Sequence, residues 1–480
     1  MHFWGSKNKG KKMEEIKNTL RDSKTARWIV LILVSFTMLT GYYFADVMSP
    51  IKPMLQKLGA WENNSSFGLY YGAYSWFNVF LGMLIIGGII LDKMGIRFTG
   101  VTFIALMVGG AAINYYALTD TFLNGGFGFE FLDSFLTTYS ASAKLASFGF
   151  AIFGVGVEIA GVTVSRVIVK WFMGKELALA MGLQVAIARL GTAGALFFAP
   201  RIAGIDEVVT RPVAFGVIVM LAGLMTFIIY TMMDVKVDKE VETNDDAAEE
   251  EEFKFSDVAR LFTNKAFMYI AMLCVLFYGA VFPFLKYAAD FMVNKFEVSV
   301  TTAGDIPSLL PFGTMVLTPI FGFFLDKKGK GASIMIFGSL LLILVHLGFA
   351  FGPGGAENIW LAYVLIIILG IAFSLVPASM WPSVPKIVDE RYLGSAYSVI
   401  FFIQNWGLMG IPLLIGWTLD KVNPGVSEQI RNGVEGAALD YTIPMLIFAS
   451  TGVLGLVFAF LLKAEDKKKG YGLELPNIQN

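Results

Sequence analysis

Residues that carry metal or thiol chemistry are scarce in this 480-residue chain. It has one cysteine, Cys274, and two histidines, His2 and His346. A lone cysteine excludes an intramolecular disulfide and any CxxC site, and two distant histidines exclude an HExxH zinc site. Cys274 lies in an apolar run, and His346, in ILVHLGF, reads as a buried packing residue. Charge is scarce too. Asp, Glu, Lys and Arg make up 16% of the chain, against about 25% in soluble globular proteins. A net charge of −1 offers no basic face for nucleic acid. Without metal, thiol or nucleophile motifs, the reading is of no enzyme and no cofactor.

What is abundant is apolar length. Hydrophobic residues make up 56% of the chain, and the mean hydropathy is +0.65. Runs of about 20 apolar residues, each long enough to cross a bilayer, occur twelve times. They lie at 28–48, 67–91, 98–118, 144–171, 177–200 and 212–233, then at 265–288, 302–325, 332–352, 358–382, 394–418 and 441–463. The expected fold is therefore an all-α membrane protein of twelve spans in two pseudo-symmetric six-helix bundles. Its divisions are a basic tail (1–27), a first bundle (28–235), an acidic linker (236–263), a second bundle (264–464) and a closing tail (465–480). The first apolar run follows a basic tail and is long enough to span, so it reads as a span and not as a cleaved signal. Most Lys and Arg residues fall in the tails and in the loops on the same side, eight of them in the first tail. That bias places both termini in the cytoplasm.

A pattern repeats between the halves. GIILDKMGIR (88–97) follows the second run and GFFLDKKGK (322–330) follows the eighth, both reading G-x-x-x-D-K-x-G. Gly88 and Gly322 would allow neighbouring helices to approach closely. Asp92 and Asp326 would face the positive end of an adjacent helix dipole in one conformer and leave it in another. Lys93, Gly95, Arg97 and Lys327 complete the two copies as gate residues. This duplicated pattern resembles the signature of the major facilitator superfamily, and the resemblance covers all twelve spans. A narrower resemblance rests on GAYSWFNVFLG (72–82), GVEIAGVTVSRVIVKWFMGKELALAMGLQVAIARLG (156–191), FYGAVFPF (277–284) and SMWPSVPKIVDERYLGSAYSVIFFIQNWGL (379–408). Together these segments resemble the lysosomal dipeptide transporter branch. That resemblance implies a uniporter for dipeptides, cationic ones included, with a carboxylate on the fourth span and a guanidinium on the fifth acting on the peptide termini. The matching positions here are Glu158 and Arg189.

Geometry leads to the same pair independently. The turn between spans 4 and 5 centres near residues 173–174, so both charges sit roughly 20 Å from that end, near mid-bilayer. A charge there costs about 2.5–3.5 kcal/mol on insertion scales. A zwitterion offers an ammonium to Glu158 and a carboxylate to the planar fork of Arg189. The bland alternative is a permanent ion pair locking two helices. In the duplicated half Glu158 corresponds to Ser374 and Arg189 to Asn405. The second bundle is therefore expected to supply neutral contacts: Trp381, Gln404 and Asn405.

Other candidates follow from placement. Tyr71, Tyr74 and Asn78 fall at i, i+3 and i+7, one helical face that either lines the cavity or anchors at the interface. Arg166 lies close enough to the cytoplasmic end to snorkel, which suits a gate or a structural contact. Asp46 and Lys286, near the outer ends of spans 1 and 7, form a gate pair, catch a charged side chain, or simply sit at the surface. The expected function is dipeptide transport by alternating access, as a monomer in a lipid bilayer. The alternatives are proton-coupled symport of peptides or of another small organic anion or zwitterion, and a non-transporting membrane sensor. A prokaryotic plasma membrane is the preferred setting and a lysosomal membrane the alternative. An accessory glycoprotein subunit belongs only to the lysosomal setting.

Overall fold

The computed structural model describes residues 20–173, 175–241, 261–389 and 392–476. The acidic linker lies outside the described residues from 242 to 260, as does the first tail up to residue 19. Among the described residues the chain is helical, with no strand. Eleven helices are long and apolar enough to cross a membrane. A twelfth crossing is assembled from shorter pieces.

Span 1 is Lys24–Asp46, span 4 Ala141–Phe172, span 5 Leu177–Ala203 and span 6 Thr210–Val241. In the second half, span 7 is Lys265–Phe296, span 8 Val300–Lys328 and span 9 Gly331–Phe351. Span 10 is Ile359–Ile387, span 11 Leu393–Val422 and span 12 Thr442–Lys469. Helix starts follow local chemistry. Ser23, Asn63, Ser140, Asn264 and Ser299 each accept a hydrogen bond from a first-turn amide, as capping residues do. Outward stripes such as Ile218, Leu221, Met225, Ile229 and Met232 on span 6 are exposed. They recur every three or four residues and face lipid, where backbone groups already bonded within the helix need no water.

Span 2 departs from the single helix expected over 67–91. It runs as Asn64–Ala73, a break at Tyr74 and Ser75, Trp76–Phe80, and a second break at Gly82. It then continues into Met83–Ala117, where Gly95 (φ 77°, ψ 171°) turns the chain into span 3. Contact with span 4 accounts for the first break. The Tyr74 carbonyl presses on Gly154 so closely that a Cβ there would sit 2.0 Å from the oxygen. Apolar periodicity along one segment carries no trace of such a contact.

The two bundles meet along spans 2 and 11 and along spans 5 and 8. Away from the termini these crossings are tight. Gly68 and Gly72 of span 2 lie against the Pro412 and Met409 carbonyls, Gly416 of span 11 against Asn64, and Gly304 of span 8 against Leu196. At the end that carries the termini, Gly88, Gly182, Gly322 and Gly394 lie on the same four spans. A Cβ at any of them would meet nothing within 4 Å. The close approach expected at Gly88 and Gly322 is therefore absent, because the bundles stand apart at that end. The molecule is shut at one end and open at the other.

The closing tail is packed rather than free as far as residue 476. The Glu474 carboxylate accepts from the amide and hydroxyl of Ser333, both at 2.8 Å, and Leu473 is buried.

Candidate functional site

Glu158 sits mid-way along span 4, half-buried, and its Oε1 accepts a hydrogen bond from the Tyr74 hydroxyl at 2.8 Å. Arg189 of span 5 is also half-buried. Its Nη1 donates to Thr314 Oγ1 of span 8 at 2.8 Å, and its guanidinium lies 5.0 Å from the centroid of the Phe373 ring of span 10. Among the described residues no ion pair joins Glu158 to Arg189, and neither is paired with another charge. The permanent ion pair is thus not what the structure contains. Tyr42 of span 1 lies within electrostatic reach of Glu158, Arg189 and Asp46 at once, yet it is 37% exposed. Glu158, Arg189 and Tyr42 therefore share one neighbourhood between spans 1, 4 and 5.

The remaining expected contacts divide. Tyr74 reaches Glu158. Tyr71 is buried, packed against Phe67, Tyr70 and Phe150, with the Lys286 ammonium 4.9 Å from its ring centroid. Asn78 is fully buried, and neither amide atom finds a partner among the described residues. Of the three, then, only Tyr74 meets a charged site residue by hydrogen bond, while Tyr71 and Asn78 are buried in packing. In the second bundle Trp381 is half-buried and its Nε1 donates to the Tyr278 hydroxyl at 3.1 Å. Tyr278 is itself within electrostatic reach of Arg189. Gln404 lies 3.6 Å from the Cys274 thiol. Asn405 is buried and donates to Phe401 O of its own helix. Ser374, opposite Glu158 in the duplication, is spent on the Gly370 carbonyl. His346 is buried, its Nδ1 2.9 Å from Leu342 O.

At the shut end Asp46 pairs with Lys286 across the bundles, and Asp46 Oδ2 also accepts from Thr192 Oγ1 at 2.7 Å. A second charge pair there is almost wholly buried. Lys52, just past span 1, donates to Asp290 of span 7 and to Asn64 Oδ1, and Tyr441 donates to the same carboxylate. Asp420 of span 11 accepts from Asn64 and Ser65 at the start of span 2.

At the open end the first signature copy is held within its own bundle. Arg166 donates to Asp92 at 2.7 Å. Arg97 and Lys170 share Asp234 and Asp238 of span 6, with Trp171 Nε1 3.1 Å from Asp234. Lys93 is exposed, and the Lys327 ammonium lies 4.3 Å from the Phe323 ring centroid. Asp326 is half-buried near the end of span 8.

The sequence reading missed Tyr42, Thr314 and Phe373 around Glu158 and Arg189, and Thr192, Lys52, Asp290 and Asp420 at the shut end. The first four are neutral residues in apolar runs, indistinguishable there from packing. Asp290 lies two residues past the apolar run 265–288 and so read as a surface residue; the helix continues to Phe296 and buries it.

The Major Facilitator Superfamily model matches residues 121–412 and, in a second match, 285–475. The lysosomal dipeptide transporter MFSD1 of Mus musculus is 30% identical over 406 residues, covering 82% of this chain and 80% of that protein. The fold is similar to that of the nucleoside transporter NupG, with a TM-score of 0.64, 16% identity, and coverage of 92% of this chain and 99% of that one. It is likewise similar to a bacterial homologue of the human lysosomal transporter Spinster, solved inward-facing and unoccupied. There the TM-score is 0.64 at 16% identity, over 95% of this chain and 99% of that one.

Proposed function

The chain belongs to the major facilitator superfamily, a family of multi-pass membrane transporters, and on that premise we propose that it carries dipeptides by alternating access. The observation that carries this reading is that Glu158 and Arg189, both half-buried, make no ion pair among the described residues. Two opposite charges kept apart, each held by neutral partners, are arranged to accept a zwitterion. The peptide ammonium goes to Glu158 beside Tyr74, and the peptide carboxylate goes to the Arg189 fork. Phe373 backs the guanidinium and Thr314 orients it, so the site spans both bundles. The mouse relative's name, a dipeptide transporter, supports this cargo.

With the termini cytoplasmic, as the basic bias places them, the open end faces the cytosol and the shut end faces outward. Asp46–Lys286 is then an outer gate, and Asp92–Arg166 is the resting state of an inner one. Uniport is the simplest mode on this reading, because the charge pair balances a zwitterion without a second ion. The setting is a prokaryotic plasma membrane or, following the relatives' name, a lysosomal one.

Purified protein in liposomes tests the proposal with a dipeptide panel, with and without a proton gradient. Glu158→Gln and Arg189→Ala are each expected to cut uptake by about 30-fold or more, the loss of one charge-assisted contact, while melting as the parent does. Normal uptake by both variants sinks the site. Uptake that requires the gradient replaces uniport with symport, and binding without flux makes the protein a sensor.

A further inference from the structure

The pattern G-x-x-L-D-K occurs three times, not twice. After Gly88–Lys93 and Gly322–Lys327 it returns at Gly416–Lys421 as GWTLDK. The first two copies close spans 2 and 8 at the open, cytoplasmic end. The third closes span 11 at the outer end, and there it is engaged. A Cβ on Gly416 would sit 2.4 Å from Asn64 O, so the two helices touch backbone to backbone. Asp420 Oδ1 accepts from Asn64 N at 2.8 Å and from Asn64 Nδ2 at 3.0 Å. Its Oδ2 accepts from Ser65 N at 2.8 Å and from the Ser65 hydroxyl. The carboxylate thus covers amides at the start of span 2 that no helical carbonyl can reach, at the positive end of that helix.

We propose that this third copy is the outer lock of the transport cycle, with Asp420 as the positioning residue that holds span 2 to span 11 while the cytoplasmic end is open. Where Gly416 and Asp420 are in contact across the bundles, Gly88 and Gly322 stand clear, and Asp92 is turned to Arg166 of its own bundle. The contact suits a lock that must reopen. It desolvates one charge against backbone donors, and when the helix ends part, water satisfies both sides. The equivalent crossing of spans 5 and 8 is closed differently, by Arg201 bidentate to Asp305 at 2.7 and 2.9 Å. The neighbouring Lys52 ties into the same point, because its partner Asn64 is also a donor to Asp420.

The test uses the full chain in liposomes with Cys274→Ser as background, and reads the rate at which a membrane-impermeant maleimide labels one introduced cysteine. Ser49→Cys reports the outer end, since Ser49 is fully buried under Leu285 and Lys286. Gly182→Cys reports the open end, where nothing lies within 4 Å. Asp420→Ala is expected to raise labelling at position 49 about tenfold, the weight of a charge on a helix end with its hydrogen bonds, and to lower it at position 182. Ser65→Ala is expected to move both in the same directions by a smaller factor, about threefold. It removes one of the four hydrogen bonds to the Asp420 carboxylate and leaves the two backbone amides in place. Faster labelling at both positions would mean a loosened fold, and unchanged labelling would mean a contact without a gating role; either result overturns the proposal. If Asp420→Ala does not fold, Ser65→Ala decides by the same criteria. No cargo enters this assay, so its outcome and that of the dipeptide reading are separate.

Discussion

Keeping Glu158 and Arg189 unpaired is expensive for a membrane protein, and the neighbours show how the cost is met. Each charge has one neutral hydrogen-bond partner and is only half-buried. Neither is neutralised in advance, so on the proposed reading the binding energy of a zwitterion would not be consumed in breaking an existing ion pair. Tyr74 is the finest adjustment in this arrangement, since its hydroxyl aims the Glu158 carboxylate without cancelling its charge. Tyr74→Phe is expected to raise KM for dipeptides about tenfold, a hydrogen bond to a charged group being worth about 1.5–3 kcal/mol. Maximal rate and melting temperature should stay near the parent's. Uptake kinetics in liposomes check this, and an unchanged KM would reduce Tyr74 to packing. The charges were legible in the sequence because apolar runs make them conspicuous. Thr314 and Phe373 were not, since nothing in an apolar run distinguishes a side chain that touches Arg189 from a lipid-facing one.

Among the elements, span 2 departs furthest from a simple rod. Its two breaks let it serve three ends: backbone contact with span 11 at Gly68 and Gly72, the Tyr74 reach to Glu158, and the signature turn at Gly95. The break at Tyr74 depends on a missing side chain in span 4. Gly154→Ala puts a Cβ where the Tyr74 carbonyl now lies, and is expected to destabilise the protein by about 1–3 kcal/mol, the usual cost of overpacking. Thermal unfolding in detergent measures it, and an unchanged midpoint would show that span 2 relaxes freely. Twelve crossings could be counted from hydropathy because length and apolar content suffice for that. The breaks could not, because they arise from contact between spans distant in sequence. The third G-x-x-L-D-K was legible in principle. It escaped the comparison of halves because it sits at the other end of the membrane, outside the register in which the duplication aligns.

For the whole molecule, the question is what holds one end shut. Apolar contact and a few charge pairs from opposite bundles share the work, and Lys52–Asp290 is the most deeply buried of those pairs. Replacing one member of such a pair strands the other in a dry interior. Lys52→Met is accordingly expected to cost about 3–5 kcal/mol, and Lys52→Met with Asp290→Asn to recover most of that loss. A double-mutant cycle of unfolding midpoints reads it. If the double variant fares as badly as the single, the charge pair is not what seals that end. Net charge and composition could not foretell this seal, since each bundle contributes only half of every pair.

On the proposed reading, span 5 joins the grip on cargo to the outer door. Arg189 and Thr192 lie three positions apart, about 4.5 Å along the helix axis, and Thr192 fastens the Asp46 that Lys286 crosses the bundles to meet. Handle and latch are therefore mounted on a single rod. On that reading, any pull that a peptide's carboxyl end exerts on the first would be carried, without intervening parts, to the second.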